Sequence, residues 1–120
     1  MSVFDDQAMF MRACGQTVGE KNQAQFKLYV ELIKEEVKEL EDAENFPDVF
    51  DALLDIITVC IGAGHSAGFP MVEGWDAVVL SNLRKIDPET GNVQRREDGK
   101  ILKPASWKAP DLAKLLKEKQ

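Results

Sequence analysis

One stretch, residues 48–68, limits what this 120-residue chain can become. It reads DVFDALLDIITVCIGAGHSAG. Leu53, Leu54, Ile56, Ile57, Val59, Cys60 and Ile61 fall on every face of a helical wheel, and a helix that is apolar all round belongs in a core. Asp51 and Asp55 interrupt it four residues apart, so they share a face. Two ionised carboxylates in a dry interior are costly unless something neutralises them. Just upstream lies a second acidic helix, LIKEEVKEL, residues 32–40. If the two pack antiparallel, Glu35, Glu36 and Glu39 face Asp51 and Asp55. A divalent cation is the natural neutraliser of such a cage, and all-oxygen ligation suits Mg²⁺ or Mn²⁺.

Bulk properties narrow the remaining choices. The length allows a single domain, residues 1–120, with a modest core. A net charge of −6 argues against a general binder of nucleic-acid polymers or membrane surfaces. It does not exclude a nucleotide held through a metal. The two cysteines, Cys14 and Cys60, make no disulfide framework, and Cys60 reads as a small core residue. The N-terminus, MSVFDDQAMF, carries acid early and does not read as a signal peptide. No apolar run reaches the ~18–20 residues of a membrane span. A cytoplasmic setting is the expectation.

Along the chain, residues 2–14 predict a short helix closed by Gly15. A polar connector follows. A second helix begins near Gln23, with Phe26, Val30, Ile33, Val37 and Leu40 in a heptad-like seam. Glu31, Glu41 and Glu44 read as a solvated helix face. Asn45-Phe46-Pro47-Asp48 is a tight link, with Pro47 in the first turn of the third helix. A link this short makes the two helices antiparallel neighbours. Gly62 and Gly64 predict close backbone packing, and Gly68 with Pro70 a stop. His65, the only histidine, reads as a helix-end or packing residue rather than a ligand. A fourth helix is expected over residues 70–86, with Trp75 in the core or at a subunit interface. Asn82 and Lys85 share a face at its C-terminal end. Residues 93–102, centred on Asp98-Gly99, predict a small hairpin, and Leu112, Leu115 and Leu116 a last short helix.

Taken together, these residues resemble a known family, the MazG-like all-α nucleoside triphosphate pyrophosphohydrolases. The similarity is greatest to the phosphoribosyl-ATP pyrophosphohydrolase-like branch common in phages and bacteria. The family's Glu-Glu-x-x-Glu motif is matched by Glu35-Glu36-Val37-Lys38-Glu39, and its second acidic pair by Asp51-Ala52-Leu53-Leu54-Asp55. Ser81-Asn82-Leu83-Arg84-Lys85 resembles its Ser-Asn-x-x-Lys phosphate-contacting stretch. The tail segments Asp98-Gly99-Lys100-Ile101-Leu102-Lys103 and Trp107-Lys108-Ala109-Pro110-Asp111-Leu112 resemble its C-terminal signature. The resemblance implies a bundle of four to five helices with a small hairpin and irregular tail. It implies hydrolysis of a (deoxy)nucleoside triphosphate, with dGTP the first guess, to the monophosphate and pyrophosphate.

On that reading Glu35, Glu36, Glu39, Asp51 and Asp55 hold Mg²⁺ or Mn²⁺, with Glu35 either a ligand or the general base. Asn82, Lys85, Lys103 and Trp107 contact the substrate. The chain works as a homo-oligomer, a dimer of dimers, in the cytoplasm (the host's, if phage-encoded). Within the enzyme class the alternatives are phosphoribosyl-ATP hydrolysis and a dUTPase-like activity. Outside it stands a helical interaction protein that kept the fold and lost catalysis.

Overall fold

The protein is described from a computed structural model, over residues 1–119. Its elements run α1 (Val3–Ala13), α2 (Gln23–Asp42), α3 (Phe46–Ser66), α4 (Met71–Leu83), β1 (Gln94–Arg95), β2 (Ile101–Leu102) and α5 (Leu112–Lys119). The chain is thus mostly helical, as its patterning predicts, and it divides into two compact units at Met71–Val72.

In the first unit each helix begins where the sequence supplies an acceptor for its unpaired N–H groups. Ser2 and Asp5 form a reciprocal capping box on α1. Asn22 Oδ1 accepts from Gln25 N at 3.1 Å to open α2, and Asn45 Oδ1 from Asp48 N at 2.9 Å to open α3. Pro47 sits in the first turn of α3, where its missing N–H removes no helical bond. The short link between α2 and α3 folds them back on each other, and α1 packs on α3.

The buried centre is Met11, Tyr29 and Ala63, with Val18, Phe26, Leu32, Ile33 and Val59 packed against it. Here the two inner glycines of α3 act as the sequence suggests. The Tyr29 ring occupies the space a Cβ on Gly62 would need, and the Met71 side chain that of Gly64. Tyr29 Oη donates to Gln16 Oε1 at 2.5 Å. The polar connector is tied down by one side chain. Gln25 Nε2 donates to Thr17 O and to Ser66 Oγ, both at 2.7 Å, while its Oε1 accepts from Thr17 N at 2.9 Å. Buried His65 places Nε2 2.9 Å from Phe4 O, a packing role as expected.

Two readings need correction. The first concerns α3, expected to be buried on all faces. Only its last two turns are, from Ile61 to Ser66; Leu53, Leu54 and Ile57 remain about half exposed, beside exposed Phe46 and Phe50. α1 and α2 cover one side of α3, and nothing in the first unit covers the other. Cys60 lies on that open side and is exposed, so it is not a core residue. The second concerns Trp75: of the two places expected for it, core or subunit interface, the core is not taken, since Trp75 is 59% exposed in this chain.

In the second unit α4 ends at Leu83, and its expected extension to Ile86 is a tightened turn. Lys85 N bonds Asn82 O and Ile86 N bonds Leu83 O, three residues back instead of four. The hairpin falls where predicted, pairing Gln94 with Leu102 and Arg95 with Ile101. Gly99 turns it at φ +88°, a conformation that favours glycine. Ser81 is the one buried residue among the described residues of this unit. No helix of the described residues is long and apolar enough to cross a membrane.

The Gly62–Tyr29 contact gives a stability test. Alanine is worth about 1 kcal/mol over glycine inside a helix. Overpacking against a buried ring costs about 1–3 kcal/mol. Gly62→Ala is therefore expected to lower stability in urea denaturation. A gain of stability would show that the Tyr29 ring yields freely.

Candidate metal centre

The antiparallel pairing of α2 and α3 decides which carboxylates meet. Glu36 and Glu39 are three apart on α2 and share a face, and Asp55 projects from the facing turn of α3. One carboxylate oxygen from each lies within 4.8 Å of the other two. Oxygens ligating one Mg²⁺ at about 2.1 Å stand at most ~4.2 Å apart, so the three need at most a slight closure to share a cation. All three are hard oxygen donors, the type Mg²⁺ and Mn²⁺ prefer.

The electrostatics point the same way. Glu36 Oε2 is buried without a hydrogen-bond partner, the kind of group that calls for an explanation. The Glu36 carboxyl is pushed up from 4.5 to about 7. Loss of hydration contributes most, then a hydrogen bond from the protonated acid to Glu39 and the charges of Glu39, Asp55 and Asp51. None of the ion pairs among the described residues involves these acids. Two of the three lysines of α2 are engaged elsewhere, Lys34 with Glu31 at 3.1 Å and Lys38 with Asp42 at 2.8 Å. Within the described residues of the first unit, negative charge gathers here with no paired cation.

Of the five acids expected in the cage, the structure brings together three. Asp51 is exposed and stands outside the cluster, although its charge reaches Glu36. Glu35 is also exposed and outside it, a turn of about 100° from Glu36 on the same helix. The four residues expected to contact substrate gather in the second unit. Lys85 Nζ donates to Asn82 Oδ1 at 3.0 Å. Lys103 Nζ lies 4.4 Å from the centre of the Trp107 ring and Lys85 Nζ 5.7 Å from it. Beside them opens a cavity of about 410 Å³ lined by Lys85, Lys103, Gln94 and Ser106 among others. The sequence places Ser81 in the Ser-Asn-x-x-Lys stretch but does not show that its carbonyl takes the Trp107 indole N–H at 2.8 Å. A serine near a helix end carries no signal that its carbonyl has a partner 26 residues away.

The raised Glu36 group sets a pH dependence. Its folded pKa exceeds its unfolded one, so folding takes up a proton between them. The stabilisation is complete below about 4.5 and is lost as the pH rises through about 7. Urea denaturation of the metal-free wild type is expected to show stability falling across that window, and Glu36→Gln to flatten the fall. An equal slope in both proteins would contradict the assignment.

In comparisons with protein-family models and with characterised proteins, nothing matches this chain.

Proposed function

We propose that this chain is a metal-dependent nucleoside triphosphate pyrophosphohydrolase of the MazG-like all-α type, acting in the cytoplasm on a (deoxy)nucleoside triphosphate such as dGTP. The observation that carries the proposal is the convergence of Glu36, Glu39 and Asp55 around a buried, unpaired carboxylate oxygen. An interaction module has no use for uncompensated acids between two packed helices, whereas a phosphate-cleaving enzyme does.

Mg²⁺ or Mn²⁺, when bound, screens phosphate charge and acidifies a coordinated water. The chain does the rest. Glu36, Glu39 and Asp55 hold the cation, and Asp51 adds charge that favours its binding. Glu35, outside the cluster and open to solvent, is placed here as the proton acceptor for the attacking water. A new bond forms between that water oxygen and the α-phosphorus. The bond from the α-phosphorus to the bridging oxygen breaks, and pyrophosphate leaves with the electron pair. Asn82, Lys85 and Lys103 supply donors and positive charge for phosphate oxygens.

Assembly belongs to the same proposal. Phe46, Phe50, Leu53, Leu54 and Ile57 recur at spacings of four, three and one along the open side of α3, and Phe46 is 87% exposed. A contiguous apolar face of this kind marks an interaction surface. We assign it to further copies of the chain, in a dimer of dimers.

Two experiments test these statements. Glu39→Ala and Asp55→Ala are each expected to cut turnover by more than about a hundredfold, beyond the loss from removing a ligand's supporting partner. The fold should persist, and the products of the wild type should be monophosphate and pyrophosphate. Orthophosphate released with a diphosphate remaining would contradict attack at the α-phosphorus. Sedimentation across a dilution series should give an oligomer that Phe50→Asp dissociates. A wild-type monomer with full activity would contradict the assembly.

A further inference from the structure

We infer that Trp107 is a positioning residue that caps α4 and holds Lys85 and Lys103 as one cationic pair, rather than a platform on which a nucleobase stacks. The inference rests on the pyrophosphohydrolase reading only in naming polyphosphate as what the pair meets.

The cap follows from how α4 ends. The last carbonyls of a helix lack intrahelical partners. Lys85 N, the donor that Ser81 O would receive in a continuing helix, bonds Asn82 O at 3.1 Å instead. Ser81 is buried, so water does not readily replace the lost donor. The Trp107 indole N–H fills the gap at 2.8 Å. Trp107 is itself set by a tight turn, its backbone N–H bonding Pro104 O at 3.0 Å. Both ends of the residue are therefore fixed.

The ring then serves the lysines. The Lys103 ammonium lies over it at 4.4 Å and that of Lys85 at 5.7 Å, both within the ~6 Å range of cation–π attraction. Lys85 is further held by Asn82 Oδ1 at 3.0 Å. Two long side chains that would otherwise move independently are thus brought to one point on the rim of the 410 Å³ cavity. Such preorganisation lowers the entropy lost when both meet a polyanion. A base stacking on the ring face that carries the Lys103 ammonium would have to displace it.

Nuclear magnetic resonance of the full chain tests the inference, with tripolyphosphate and deoxyguanosine as probes in the presence of a chelator. The ε-methylene protons of Lys85 and Lys103 should be shifted upfield by the indole ring current in the wild type. They should return to ordinary positions in Trp107→Leu. Trp107→Phe, which keeps a ring face without the N–H, should retain part of the Lys103 shift. Tripolyphosphate affinity should fall about tenfold in Trp107→Leu, the scale of one to two cation–π contacts. Deoxyguanosine should leave the indole N–H resonance in place. Unshifted lysine signals in the wild type, or an indole resonance moved by deoxyguanosine, would overturn the inference. Shifted lysines in a chain that hydrolyses no nucleoside triphosphate would uphold it while refuting the proposed reaction. Hydrolysis with unshifted lysines would do the reverse.

Discussion

A partly desolvated carboxylic acid governs the first unit of this protein. Glu36 sits between α2 and α3 with one oxygen buried and unpaired, and two further acids within reach. Protonated, it is hydrogen-bonded to Glu39; ionised, it faces like charges from two helices. Protonation of Glu36 therefore favours the close packing of α2 on α3. The same pairing that closes the core over Met11, Tyr29 and Ala63 brings the acids together, so the core and the candidate site are one construction. Gly62 is part of it, because the Tyr29 ring needs that space for the helices to approach.

The acid pattern was legible because helical spacing is rigid. Glu36, Glu39 and Asp55 could be placed on facing sides from their positions and from the short link at Asn45. Capping residues were legible for the same local reason, and so was the Asp98-Gly99 hairpin. What escaped is set by tertiary context. Glu35 and Asp51 fit the spacing as well as their neighbours, yet a rotation of one residue along the helix puts Glu35 in solvent. Periodicity could not show which side of α3 the first unit leaves open, so Cys60 reads as core and is exposed. Gln25 gives no hint in sequence that it ties the 15–22 connector to Ser66, because that link spans 41 residues.

The open side of α3 and the second unit pose a shared problem. Phe46, Phe50 and Ile57 leave a large apolar surface in water, and Val72–Lys119 bury almost nothing among themselves. Small units of this kind gain stability from further contact. Within the second unit, order comes instead from directed polar contacts: the Ser81 carbonyl, the Trp107 indole and the two lysines around it. Acids in the first unit are thus fixed by helix packing, and cations in the second by an indole.

A divalent cation bound as proposed would take the place of the Glu36 proton. Anomalous diffraction from crystals grown with Mn²⁺ addresses it directly. An anomalous peak bounded by the carboxylates of Glu36, Glu39 and Asp55 is expected. A structure in which Mn²⁺ is ordered elsewhere, while Glu36 still shares its proton with Glu39, would contradict it.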